Sequence, residues 1–327
     1  MRKRLFLHIG SHKTATTFVQ SSFAASPAAL SELDLLYPRA GRIYEAHFNL
    51  AWALNDRAFA NKALCDIPVW ADLFDEIDAS AHSTVLVSAE NFGWGSDVTR
   101  LADLAKRYDV QVIFYLRSPD SHLESFYNQV VKDFDTKEQR PLERYMSEDP
   151  LGILDTTKLL NPWAEMFGRQ AIRLRLFGKS FLPDGILADF VKAMGYATVP
   201  AFNPAADSAL HKVALPPDAL EYLRLSNPWL TERAGHHDFV VRLVRFANAN
   251  PAAFQDTRGG ILSPRARQVL RLRVRASQLQ AVHAYLGPRR TPFPANDAPD
   301  FPGYDSLLPV ADARVMGKVA ALIRGLT

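Results

Sequence analysis

A chain of 327 residues, 48% of them hydrophobic, can bury one substantial core, with room for one large domain or two modest ones. Lys and Arg number 38 and Asp and Glu 35, and a net charge of +3 is too small for a nucleic-acid binder, so any anion site is local. The single Cys65 excludes an internal disulfide framework, fits a reducing compartment, and reads as a small buried hydrophobe.

The start Met1-Arg2-Lys3-Arg4 and the apolar run Leu5 to Ile9 begin like an export signal, but the run stops after five residues at Gly10. No stretch nears the roughly 20 apolar residues that span a bilayer. The expectation is a cytoplasmic protein with at most peripheral membrane contact. Leu5 to Ile9, Thr84 to Ser88, Val110 to Leu116 and Ala171 to Phe177 are short apolar runs rich in β-branched and aromatic residues, the pattern of buried parallel strands. Helical patterns separate them: Thr14 to Ala24, with Phe18, Val19, Ser22 and Phe23 at helical spacing, then Leu73 to Ala81 and Leu101 to Arg107. After Ser118 as N-cap and Pro119 at N1, Leu123, Phe126, Tyr127, Val130 and Val131 form an apolar stripe.

Beyond residue 180 the chain reads as mostly helical, with Phe181 to Gly195 and Pro217 to Leu225 as helices. Ser263-Pro264 opens a long helix with Val269, Leu272, Ala276, Leu279, Val282 and Leu286 as its buried stripe and Arg267, Arg271 and Arg275 on the solvated face opposite. Residues 201–217 and 287–309, rich in Pro, Asp and Asn, read as loops. His236 and His237 point about 100° apart on a helix and read as surface or acceptor-pocket residues rather than metal ligands. The expected fold is α/β, a P-loop-like central parallel sheet flanked by helices with a mainly helical C-terminal part. It is expected as one domain over 1–327, divided into a core at 1–180 and a helical region at 181–327.

Gly10-Ser11-His12-Lys13-Thr14-Ala15-Thr16-Thr17 joins a buried strand to a helix, where backbone N–H groups and the positive end of the helix dipole meet an anion. It departs from the Walker A pattern because no second glycine precedes Lys13, so a nucleoside triphosphate fits poorly. A second cation, Arg117, stands at a strand's carboxyl end, where open α/β sheets bind ligands, and its planar fork suits a phosphate monoester. Ser125 follows eight residues later, with Ser121, Asn128, Gln129 and Lys132 on the helix's polar face.

Together the two segments resemble the signature by which the sulfotransferase family binds 3'-phosphoadenosine 5'-phosphosulfate (PAPS). His8 to Thr17 is similar to the 5'-phosphosulfate loop, with Ala15 where glycine is usual. Leu116-Arg117-Ser118-Pro119 with Ser125 is similar to the 3'-phosphate motif, and Tyr127 and Lys132 fit the same pattern. A Gly-rich C-terminal loop found in steroid and phenol sulfotransferases is not evident, so the bacterial, carbohydrate-directed branch is the nearer comparison.

The resemblance implies that Lys13 contacts the bridging oxygen, that Thr14, Thr16 and Thr17 with loop amides hold the 5'-phosphate, and that Arg117 and Ser125 hold the 3'-phosphate. Gly10, Ser11, His12 and Ala15 complete the donor loop. Glu90, after the strand Thr84 to Ser88, resembles the base glutamate of heparan-type members; His47 is the second candidate, because histidine titrates near neutrality. No metal is expected, since the sulfuryl group carries less charge than a phosphoryl. The acceptor implied is a glycan or glycolipid, its specificity lodged in residues 39–50, 133–158 and 201–262; no nucleic-acid partner is expected. Two other readings remain open, a small-molecule kinase dependent on magnesium and ATP, and a non-catalytic nucleotide-binding protein.

Overall fold

A computed structural model describes residues 2–148, 152–203, 213–251, 261–291, 293, 316–317 and 319–321. They form two compact units interleaved along the chain. The first takes Met1–Ser118, Asp155–Asp207 and Ser277–Pro292; the second takes Pro119–Leu154, Ser208–Ala276 and Phe293–Thr327. Residues 155–203 contribute the strand Ile172–Phe177 to the sheet of the first unit, and the helices Pro119–Lys132 and Leu142–Glu148, which follow Ser118, belong to the second.

In chain order the elements are β1 (Arg4–His8), α1 (Thr16–Ala24), α2 (Pro27–Glu32), β2 (Leu35–Leu36), α3 (Phe48–Asn55), α4 (Pro68–Ala79), β3 (Thr84–Ser88), α5 (Ala102–Arg107) and β4 (Asp109–Arg117). There follow α6 (Pro119–Lys132), α7 (Leu142–Glu148), α8 (Thr156–Phe167), β5 (Ile172–Phe177), α9 (Ile186–Ala193), α10 (Pro217–Ser226), α11 (Arg233–Ala249) and α12 (Pro264–Tyr285).

The first unit is built on a five-stranded sheet of order β2-β3-β1-β4-β5 in which every pair is parallel. This confirms the α/β class. Strand β1 is central, buried from Leu5 to His8, and β3 is buried throughout, as strands covered on both faces must be. At the edge, β5 alternates: Ile172, Leu174 and Leu176 face the core while Arg173 is exposed. Phe6, Phe23, Tyr37, Tyr115 and Phe190 fill the layer between sheet and helices. Because β3 and β4 flank β1 on opposite sides and in parallel, the segments that leave their carboxyl ends emerge side by side.

The second unit is helical. Its core joins Leu123 and Tyr127 of α6 to Leu220 and Leu223 of α10, Leu243 and Val244 of α11 and Leu270 of α12. Prolines open α6, α10 and α12, where the missing N–H removes no helical bond. Asn128 exchanges hydrogen bonds with Leu215, its Nδ2 donating at 2.8 Å and its Oδ1 accepting at 3.2 Å, and Lys132 donates to the Val213 carbonyl at 2.6 Å.

Several sequence expectations are corrected. Helix α12 buries Val282 of the expected stripe, but in its first half it buries Ala266, Arg267, Leu270 and Val274, while Val269 and Leu272 are 50% and 60% exposed. Arg267 pairs with Asp120 at 3.5 Å and Glu124 at 3.1 Å, and Arg271 with Asp120 at 3.1 Å. Only Arg275 of the three arginines is exposed. Buried carboxylates on α6 thus turn the helix away from the face that apolar spacing selects. Phe18 is exposed, and α1 buries Gln20 in addition to Val19, Ser22 and Phe23. The helix expected from Phe181 starts only at Ile186, after the turn Pro183-Asp184-Gly185. Cys65 is exposed, not buried. His236 is buried beside the Phe134 ring, whereas His237 is exposed. The segments 39–50, 133–158 and 201–262 contain parts of α3 and α8 and all of α7, α10 and α11. The loops expected at 201–217 and 287–309 lie largely outside the described residues. No described helix is long and apolar enough to cross a membrane.

Candidate functional site

Three segments of the first unit meet at the carboxyl edge of the sheet: the loop Ile9–Ala15 after β1, the turn Glu90–Gly93 after β3, and Arg117 at the end of β4. The loop is anchored by main chain on both sides. Ile9 N–H donates to Ile113, Tyr115 N–H to Gly10, and Ala89 N–H to His8. Inside it, Ser11 Oγ donates to the Tyr115 carbonyl at 3.0 Å and Thr14 Oγ1 to the Ser11 carbonyl at 2.6 Å. A carbonyl can only accept, so both hydroxyl protons are engaged in shaping the loop. For Ser11 and Thr14 this departs from a direct grip on phosphate through O–H donation.

Two residues of the loop sit in the left-handed region, Lys13 at φ 64° and Ala15 at φ 60°. This explains why glycine would suit position 15, where alanine carries a cost of about 1 kcal/mol. Ala15 is also the N-cap of α1 and makes no side-chain capping bond, and the helix has no acidic residue in its first turn. A helix N-terminus without a side-chain cap, beside Lys13 and the hydroxyls of Thr16 and Thr17, is a donor set suited to an anion. The residues therefore fit a phosphate or sulfate group.

Gly10 has φ 104°, and a Cβ there would lie 3.2 Å from Glu90 Cβ, so the loop and the Glu90 turn touch at a point only glycine allows. Gly93 is constrained likewise: its Cβ would meet the Ile9 carbonyl oxygen at 2.6 Å. Glu90 is half-buried, and its Oε2 accepts from Gln20 Nε2 at 3.2 Å. Beside it the His12 ring stands edge-on to exposed Trp94, centroids 5.0 Å apart. Burial lowers the titration of His12, the Glu90 carboxylate opposing that shift and the Lys13 ammonium adding to it.

His47 is fully buried. Its Nδ1 accepts from Ser88 N–H at 3.1 Å, so Nδ1 carries no proton and Nε2–H donates to the Pro38 carbonyl at 2.9 Å. With both ring nitrogens held by main chain and burial pushing its pKa down to about 4, His47 positions α3 against β3 and is not placed to take a proton from an acceptor. His8, also buried, lies with Nδ1 2.8 Å from Ser88 Oγ, and burial takes its pKa down to about 3.

Arg117 donates from Nη1 to the Lys13 carbonyl at 2.6 Å, and its guanidinium carbon lies 5.5 Å from the Phe177 ring centroid. The cation predicted for a second phosphate therefore also braces the first loop. Ser125, predicted to share that task, is half-buried on α6 and belongs to the second unit. Gln20 and Ser88 escaped the sequence analysis; the signal was a glutamine on the buried face of the helix that follows the loop, one turn beyond Thr16.

No family model and no curated protein sequence matches this chain. Among solved structures, a sulfotransferase from Alicyclobacillus acidocaldarius is similar at a TM-score of 0.42 and 15% identity, over 72% of this chain and 94% of that one.

Proposed function

We propose that this chain is an enzyme that transfers the sulfuryl group of PAPS to a hydroxyl or amine of an acceptor, with a glycan or glycolipid as the acceptor class favoured by the sequence resemblance. The observation that carries the reading is the meeting of Lys13, Glu90 and Arg117 around the start of α1, which has no side-chain cap. PAPS supplies an activated sulfuryl group and a bisphosphate leaving group. The first-turn N–H groups of α1 with Thr16 and Thr17 bind the 5'-phosphate, and Lys13 stabilises the charge that develops on the bridging oxygen. Arg117, which has five N–H donors, gives one to the Lys13 carbonyl and directs others to the 3'-phosphate. Glu90 accepts the proton of the acceptor hydroxyl as the new S–O bond forms and the bond to the bridging oxygen breaks. His12, next to both Lys13 and Glu90, orients the donor.

The test is transfer of label from sulfur-labelled PAPS to a panel of oligosaccharide and phenolic hydroxyls. Wild-type protein is expected to transfer label, with Lys13→Met slower by roughly 100-fold at a smaller change in donor affinity. Consumption of ATP with magnesium and none of PAPS would replace this reading with a kinase.

A further inference from the structure

Beneath Glu90 lies a short polar chain that the proposed transfer leaves unused. Gln20 is buried on α1, and its amide nitrogen lies 3.2 Å from Glu90 Oε2 and 3.1 Å from Ser88 Oγ. A carboxamide nitrogen carries two protons, so these bonds account for both. Ser88 is itself buried, fixed through its main chain to His47 and through its hydroxyl to His8 at 2.8 Å. The nitrogen that holds Glu90 is thus tethered to the carboxyl end of β3, two residues before the glutamate.

We propose that Gln20 is a positioning residue for Glu90, fixing one carboxylate oxygen and with it the orientation in which Glu90 meets the acceptor. The proposal rests on Glu90 being the base. Glu90 is half-buried at the head of a single turn, where a glutamate side chain retains rotamer freedom unless bonded. Gln20 removes that freedom. The same helix begins at the donor loop, four residues before Gln20, so donor site and base are referenced to one rigid element. Glu90 is consequently pre-set for proton transfer.

The experiment compares wild type, Gln20→Leu, Glu90→Gln and the double variant. It reads release of 3',5'-adenosine diphosphate from PAPS with water as nucleophile, whose proton Glu90 takes, together with affinity for 3',5'-adenosine diphosphate. Gln20→Leu is expected to lower kcat about tenfold with bisphosphate affinity within about twofold, and to add nothing on top of Glu90→Gln. Gln20→Asn, one methylene too short, should behave like Gln20→Leu and serves if the latter does not fold. A crystal structure of Gln20→Leu with the bisphosphate bound reads the positioning without turnover: Glu90 should leave its wild-type rotamer. An unmoved Glu90, an unchanged kcat, or equal losses from Gln20→Leu in the wild-type and Glu90→Gln backgrounds would overturn the proposal. Full turnover by Glu90→Gln would instead remove the base reading on which it rests.

Discussion

Two buried neutral histidines make the first unit acid-sensitive in a calculable way. His8 and His47 titrate at about 3 and about 4 in the folded protein, against 6.5 for an exposed ring, because burial penalises the imidazolium. A histidine lowered on folding leaves the unfolded chain binding more protons between the two values. Stability is therefore complete above about pH 6.5 and falls with acidification toward the folded values. At pH 5 the unfolded ring is nearly all protonated and the folded one is not. Each histidine then removes about 2 kcal/mol, or about 4 kcal/mol for both. Urea unfolding followed by the fluorescence of buried Trp70 and Trp163, both in the first unit, measures this from pH 7.5 to 5. Comparison with His8→Phe isolates one ring. Phenylalanine can keep the edge contacts to Phe190 and Tyr115, at 4.9 and 6.2 Å, but takes up no proton. Its stability should depend on pH less steeply by about 1.4 kcal/mol per unit near pH 5. Equal slopes for the two proteins would refute the argument, whatever their stabilities at pH 7.5.

Other consequences are independent of that network. Ala15→Gly should raise the melting temperature by a few degrees, because glycine adopts φ 60° without the alanine penalty of about 1 kcal/mol; a fall would contradict the left-handed N-cap. Gly93→Ala should cost about 1–3 kcal/mol and weaken binding of 3',5'-adenosine diphosphate, since its Cβ would press on the Ile9 carbonyl just before the loop. In the second unit, Arg267→Met should cost about 3 kcal/mol by taking the guanidinium from Glu124 and leaving Asp120 with Arg271, whereas exposed Arg275→Met should stay within about 0.5 kcal/mol; equal effects in thermal denaturation would deny the buried pairing.

The sheet was legible where burial is two-sided. The runs in β1, β3 and β4 are apolar on both faces over most of their length, with Leu5 to Leu7, Val85 to Val87 and Val112 to Leu116 unbroken, a pattern that a half-exposed strand or a surface helix does not produce. β2, with two residues, leaves too little periodicity to detect. α8 contains Pro162, which ordinarily argues against a helix interior. α12 was found, and Val282 of its expected stripe is buried, but its first half turns another way: apolar spacing selects Val269 and Leu272 there, while the paired charges of Arg267 and Asp120 decide the outcome, and pairing across 147 positions has no local signature. In the candidate site, Lys13 and Arg117 stood out in the sequence because cations at strand ends are conspicuous. The part played by Gln20 depends on a bond to Glu90 70 residues away, and the removal of His47 from the candidate bases depends on the main chain of Pro38 and Ser88.

The central claim, that the donor is a 3'-phosphorylated adenylyl sulfate, is tested most directly by calorimetric titration of the full chain. The titrants are 3',5'-adenosine diphosphate, 5'-AMP and ATP with magnesium, for wild type and Arg117→Ala. Preferential binding of the bisphosphate, lost by at least about tenfold in Arg117→Ala while 5'-AMP binding changes less, is the expected result. Preference for ATP with magnesium, or bisphosphate binding indifferent to Arg117, would contradict it.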